Sequence, residues 1–291
     1  MKRHIKITQI DAFTRKPFWG NPAAVVFDGN LNSEEMQLIA REMNLAETSF
    51  LSPSDKVDYN LRWFTPEIEV KLCGHATIAS LHYLRQEGLI GDNSKVVFST
   101  LSGKLNCGVE NGRYFMQIPN YTFEKFTDEE TIEELFTALT LFRSATDEEV
   151  PILLCENGYL FVYVKHIKDL GKIKPSFSDL KLLTSSGKGF NSVVVYSLET
   201  IEENSFAHLR FFAPSFGINE DIVTGSANGP LLLALNKLDF VSGNEISDHF
   251  IFEQGDFLNR PGRITVYLKK DNGELYIAGD AVTVFNGELV Y

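Results

Sequence analysis

The sequence has 291 residues, 44% hydrophobic and 23% charged, with a formal net charge of −12 and a pI near 5.0. This length favours two domains over one core, and the acidic balance excludes nucleic acid as main partner, since phosphate binding needs a basic stripe. No run approaches the ~20 apolar residues of a membrane span, the start has no apolar leader, and Cys73, Cys107 and Cys155 are scattered, which together predict a reduced, cytoplasmic protein.

Residues 4–13 alternate through Ile5, Ile7 and Ile10 and predict a strand, followed by a loop over 17–22 and an apolar strand over 23–27. Asn32 and Ser33 cap a predicted helix with Glu34 and Glu35 in its first turn and Met36, Ile39, Ala40 and Met43 as its buried stripe. Strands are predicted at 47–51 and 59–64, then a helix over 77–84 that stops near Gly88. Segments 96–100, 104–109 and 114–118 read as an antiparallel run, with Asn111-Gly112 as a hairpin turn. A boundary falls over 119–127. Beyond it an acidic-capped helix places Ile132, Leu135, Phe136, Leu139 and Phe142 on one face. Strands follow at 159–164 and 192–196, with a helical stretch at 178–183 between them, and then a strand at 209–212. A helix over 227–238 carries Pro230 in its first turn, where a missing N–H is harmless. Strands at 264–268, 275–278 and 281–285 close the chain. The fold class is therefore α+β: two mixed-sheet lobes, each with a central helix, 1–118 and 119–279, the last strand (about 280–291) being a candidate to return to the first lobe.

One phrase occurs twice. LRWFTPEIEVKLCGHAT (Leu61 to Thr77) and LRFFAPSFGINEDIVTGSAN (Leu209 to Asn228) both open Leu-Arg-aromatic-Phe, turn at a proline and pass an acidic stretch. Each then reaches a glycine and a small polar residue that begin an apolar helix. The repeat predicts pseudo-symmetric lobes, each offering a helix N-terminus to a shared cleft. Such ends bind anions through free N–H groups and the helix dipole.

Glu47 lies between an amphipathic helix and an apolar strand, where a carboxyl is a candidate proton-transfer group; the alternative is a surface glutamate at a helix exit. His75, after Gly74 at a helix start, can donate to an anion or share a proton with a neighbouring acid, or simply pack there. His82, seven residues on, could share its face, which raises a metal pair; with no His-Glu-x-x-His and no Cys/His cluster, no metal is expected. Asp221 either stabilises the second helix start, or bonds a substrate hydroxyl or amine, or orients His75. Ser226 offers a hydroxyl and an N–H, and Gly225 permits close approach. Asn21, between Gly20 and Pro22, either points its amide into the cleft or is a turn residue.

These residues sit in six phrases, in order: DAFTRKPFWGNPAAVV (11–26), EMNLAETSF (42–50), RWFTPEIEVKLCGHAT (62–77), RFFAPSFGINEDIVTGSA (210–227), EQGDFLNRPGRI (253–264) and AGDAVTVFNG (278–287). By them the chain resembles, from end to end, the phenazine-biosynthesis (PhzF-like) isomerase family. The resemblance implies a diaminopimelate-epimerase-like fold, usually a homodimer, and cofactor-free proton transfer. It implies Glu47 as the acid/base, and site roles for Gly74, His75, Asp221, Gly225 and Ser226. The related epimerases use a cysteine at each helix start. Here those positions are Cys73 and Thr224, and a threonine hydroxyl is far too weak an acid for that role. Many relatives have Gly-His-Pro where this chain has Gly74-His75-Ala76, which leaves substrate choice open. The expected function is an isomerase moving a proton between carbons of a small carboxylate-bearing molecule. The alternatives are an epimerase or racemase, or a non-catalytic ligand-binding relative.

Overall fold

The computed structural model describes residues 2–242, 245–246 and 248–291. By contacts the chain divides into two units, Met1–Ile118 with Arg260–Ile264 and Tyr276–Tyr291, and Pro119–Asn259 with Thr265–Leu275.

The first unit is a mixed sheet built around a helix. Starting from Ala281–Val290, successive neighbours are His4–Ala12, Asn21–Phe27, Glu47–Pro53, Tyr59–Phe64, Lys95–Thr100, Gly103–Glu110 and Arg113–Ile118. Leu275–Gly279 lies beside the last of these. Asn21–Phe27 with Glu47–Pro53 and Tyr59–Phe64 with Lys95–Thr100 are parallel pairs. Helix α1 (Ser33–Met43) connects the first parallel pair. Asn32 accepts from the Glu35 N–H at 3.0 Å while Glu35 accepts from the Asn32 N–H at 2.9 Å, and Asn44 ends the helix at φ 50. Met36, Ile39 and Ala40 pack on Ile5, Ile7 and Phe50.

Helix α2 (Gly74–Gln86) packs against His4–Ala12, Asn21–Phe27, Glu47–Pro53, Arg113–Ile118 and Ala281–Val290. Ten of its thirteen residues are buried, and the other three, His82, Arg85 and Gln86, share one narrow stripe. That explains its composition. Small residues bring it close to the strands, and its hydroxyls bond inward: Ser80 to the Ala76 carbonyl at 2.7 Å and Thr77 to the Cys73 carbonyl at 2.6 Å.

The second unit orders its strands as Phe123–Lys125, Leu153–Cys155, Tyr159–Tyr163, Ser192–Ser197 and Ala207–Ala213. The last of these also pairs with Ile218–Asp221 and Phe250–Gln254. Helices α3 (Glu129–Leu139), α4 (Ile167–Lys172) and α5 (Phe177–Ser185) precede α6 (Gly225–Lys237). Leu135, Phe136, Leu170 and Leu180 from the first three pack on Leu160, Val162, Val193 and Val195 of the sheet. Like α2, α6 is buried along most of its length.

Several boundaries differ from expectation. Helices α2 and α6 begin at Gly74 and Gly225, where the repeated phrase put their starts, and not at 77 and 227, where the apolar pattern alone put them. Glycine and short polar side chains are poor helix formers, so the apolar pattern alone starts each helix two or three residues late. Phe142 is not on the buried stripe of α3. Thr140 takes φ 55 and stops the helix, leaving Phe142 78% exposed. The short elements Leu153–Cys155, α4 and Phe250–Gln254 carry too few residues for a pattern of their own.

Candidate active site

Each copy of the repeated phrase folds as strand, loop and helix: Tyr59–Phe64, Glu69–Val70 and α2 in one unit, Ala207–Ala213, Ile218–Asp221 and α6 in the other. In each, the strand arginine holds the loop with a forked ion pair. Arg62 Nε and Nη2 donate to Glu69 at 2.6 Å each, and Arg210 Nε and Nη2 donate to Glu220 at 2.7 Å each. The residue before each helix, Cys73 or Thr224, is extended, and neither side chain caps its helix. Both side chains instead reach sideways to a titratable neighbour.

In the first unit that neighbour is His75. Glu47 begins a strand directly after α1, and Asn21 begins the parallel strand beside it, with Ala23 opposite Glu47. Asn21 depends on Gly20, whose φ is 60 and where a Cβ would lie 2.1 Å from the Ala12 carbonyl oxygen, so only glycine fits. Arg260 fastens this turn by donating to Asp11 at 2.8 Å and to the Gly20 carbonyl at 3.0 Å. Burial raises the Asp11 pKa, against the lowering effect of the Phe18 N–H and Arg260. His75 Nε2 lies 3.2 Å from Glu47 Oε2, and its Nδ1 lies 3.1 Å from Asn21 Nδ2 and 3.6 Å from Cys73 Sγ. All four residues are buried.

The electrostatics favour a charged His75. Burial alone would lower its pKa, but the neighbouring Cys73 and Glu47 outweigh it and hold it well above 6.5. Burial pushes the Cys73 thiol up to about 11. A half-turn of the Asn21 amide presents oxygen instead of nitrogen to Nδ1, so Asn21 can serve the ring in both protonation states. His82 does not join His75. Its nitrogens meet Tyr114 and Thr283, each at 3.0 Å.

In the second unit the neighbour of Thr224 is Asp221, at 2.6 Å from the Thr224 hydroxyl. Asp221 Oδ1 accepts from the Ile222 N–H at 2.9 Å. Ser226 Oγ, on the first turn of α6, is 3.2 Å from the Tyr159 hydroxyl, whose pKa burial pushes up to about 12. Sequence reasoning singled out neither Tyr159 nor Gln254, which bonds to Asp221, Thr224 and Asn228. Gln254 lay in plain view within the phrase 253–264, yet an amide next to Glu253 carries no pattern that announces a partner some thirty residues away.

Among the described residues, two groups bring metal-ligand types within 4.8 Å: Glu47, Cys73 and His75, and His208, Glu253 and Asp256. A metal takes thiolate, which the burial of Cys73 disfavours. In the second group Glu253 already accepts from the Ile201 and Glu202 N–H groups at 2.8 Å and meets His208 Nδ1 at 3.0 Å. That carboxylate is a structural anchor for the turn at 201–202.

Each unit sets one buried helix against a mixed sheet, an architecture shared with PhzF-family proteins and with a hydroxyproline epimerase. The sequence matches the model of the family described as phenazine biosynthesis-like protein over residues 10–287. A protein of Clostridium acetobutylicum named as an uncharacterized isomerase is 37% identical over 302 residues, covering 100% of this chain and 99% of that one. A crystal structure of a Bacillus anthracis phenazine biosynthesis protein of the PhzF family superposes with a TM-score of 0.88 at 32% identity, covering 99% and 100% of the two chains. A hydroxyproline epimerase from Agrobacterium vitis shares the fold at 12% identity, with a TM-score of 0.62 over 99% and 93% of the chains. The chain belongs to the phenazine biosynthesis-like (PhzF) family, and it is an isomerase of that kind.

Proposed function

We propose that the protein shifts a proton between carbons of a small carboxylate-bearing substrate, without a cofactor, using Glu47 as the acid/base. The observation that carries this reading is the buried Glu47–His75 pair at 3.2 Å, placed at an uncapped helix start. A carboxylate beside a histidine biased toward its charged form can take a proton from one carbon and return it to another without reorganising solvent. The reading takes the helix starts at Gly74 and Gly225 as anion sites. Their N–H groups and Ser226 hold the substrate carboxylate and the charge that develops on it, while Asn21 steadies His75 and Asp221 accepts from a substrate hydroxyl or amine. The two-thiol epimerase scheme finds no support here, because Cys73 is held as a thiol and the Thr224 proton is directed at Asp221. The same reading takes the working form as a homodimer, which light scattering decides.

The test is solvent-deuterium incorporation, read by mass spectrometry, into a panel of small cyclic and acyclic hydroxy- and amino-acids. Once a substrate exchanges, Glu47→Gln should lower kcat by about 10²–10⁴-fold and leave the affinity for a carboxylate analogue nearly unchanged. Exchange at the wild-type rate in that variant would make Glu47 a bystander and defeat the mechanism.

A further inference from the structure

Asn21 reaches His75 Nδ1 at 3.1 Å from the first position of its strand, so the turn before it decides whether that bond forms. Three residues of this turn are left-handed: Phe13 at φ 63, Phe18 at φ 72 and Gly20 at φ 60. Glycine is at ease there, whereas a side chain with a Cβ is strained. Phe13 is 1% exposed and is held by packing, but Phe18 is 72% exposed, too far out for packing to hold it. Its N–H instead donates to Asp11 Oδ2 at 2.7 Å. Asp11 Oδ1 accepts from Arg260 Nη2 at 2.8 Å. The same guanidinium donates to the Trp19 carbonyl at 3.2 Å and, through Nε, to the Gly20 carbonyl at 3.0 Å. One carboxylate and one guanidinium thus fix Phe18, Trp19 and Gly20, the three residues that lead into Asn21. Asp11 is itself well anchored, being buried in a strand with Pro22 opposite on one side and Val282 on the other.

We propose that Asp11 and Arg260 are positioning residues for His75: by holding Phe18 in its left-handed conformation they set Asn21, and through Asn21 the His75 ring against Glu47. This deepens the proposed function and rests on its use of the Glu47–His75 pair. The ring is met by Glu47 from the strand Glu47–Pro53, by Asn21 from the strand Asn21–Phe27 and by Cys73 just before α2, and the clamp acts on it through Asn21. Of the two bonds Asn21 can make, the one in which its oxygen accepts from the charged ring is the stronger. When the clamp opens, Phe18 returns to the ordinary region of φ, Asn21 moves with it, and the charged ring loses more than the neutral one.

The experiment follows the His75 ring nitrogens by proton–nitrogen NMR across a pH titration, with His75→Gln to assign the signal among the six histidines. Asp11→Asn keeps the shape of the side chain and removes its charge, while Arg260→Lys keeps the charge and removes the fork. In each, the His75 midpoint should fall by about one unit, the tenfold that one hydrogen bond to a charged group is worth. In solvent-deuterium incorporation kcat should fall by about tenfold while KM stays within about twofold. Asp11→Asn combined with Phe18→Gly should recover most of the midpoint, because glycine needs no clamp to stay left-handed. A clamp that served stability alone would make these variants unfold at lower urea and leave the His75 midpoint and kcat at wild-type values, and that result overturns the proposal. A double variant no better than Asp11→Asn overturns it as well. Should Asp11→Asn not fold, Arg260→Lys decides on the same readings. If wild type exchanges none of the acids in the panel, the proposed function fails, while the His75 midpoint still decides this inference.

Discussion

Moving from neutral to acid pH should cost the protein roughly 3 kcal/mol through one side chain, His82. On α2, Arg85 Nη1 donates to the Tyr114 oxygen at 3.3 Å, which directs the Tyr114 proton at His82 Nδ1, 3.0 Å away. On the other side Thr283 donates to Gln86 at 2.6 Å, so its oxygen is left to accept from His82 Nε2. Both nitrogens are satisfied in the neutral ring, and a proton added at Nδ1 would meet another proton. Burial is the largest cause pushing the His82 pKa down from 6.5 to about 4, with Gln86 opposing and the Arg85 charge assisting. The unfolded chain takes up this proton near 6.5, while the fold resists it until about 4. Stability from this group is therefore intact above 6.5 and lost as pH falls through that window. At about 1.4 kcal/mol per pH unit, the gap gives roughly 3 kcal/mol. Urea unfolding followed by circular dichroism, in steps from about pH 7.5 to about pH 4, should show the advantage of wild type over His82→Gln shrinking by that amount. A difference constant within about 1 kcal/mol across the range would refute the reasoning.

Three further outcomes are expected. Cys73→Ala should keep kcat within about tenfold, and a loss of about a hundredfold with the fold intact would return the thiol to the mechanism. Cys73 should also alkylate with iodoacetamide far more slowly than free cysteine near neutral pH, being 6% exposed with a pKa near 11. Of the two forked ion pairs, Arg210→Met should cost about 3–5 kcal/mol, because that pair is almost fully buried and Arg210 also holds the Leu170 and Ile173 carbonyls. Arg62→Met, at a pair with side chains 29% and 20% exposed, should cost about 1 kcal/mol, and equal losses in urea unfolding would contradict the assignment.

What the sequence disclosed follows from how local each signal is. The capping box at Asn32 and Glu35 and the hairpin turn at Asn111-Gly112 are satisfied within a few residues and could be read directly. The stop of α3 could not, because Thr140 is a β-branched residue in the left-handed region, held there by partners such as Lys174 that lie far along the chain. Within the candidate site, Glu47, His75 and Asn21 were singled out from phrases that pair a reactive group with a turn or a helix start, and the structure brings these three together. Gln254 and Tyr159 stayed silent, since each matters only through a partner reached by folding. The same limit applied to the two arginine clamps. The repeated Leu-Arg was visible, but the glutamates that answer it stand at different spacings, seven residues on in one copy and ten in the other.

The pairing of His4–Ala12 with Ala281–Val290 bears on the order in which the molecule can be assembled. The first strand leaves the ribosome early and waits for its neighbour until almost all the sequence shown here has been made, a delay on the order of tens of seconds at typical synthesis rates. The other unit, Pro119–Asn259 with Thr265–Leu275, is complete in sequence before the last strand is made. The exposed edge of His4–Ala12 is meanwhile a template for stray strands, and its alternating isoleucines make it an adhesive one. Yield in a heterologous host should therefore respond to synthesis rate and chaperone supply more than to changes in the finished core.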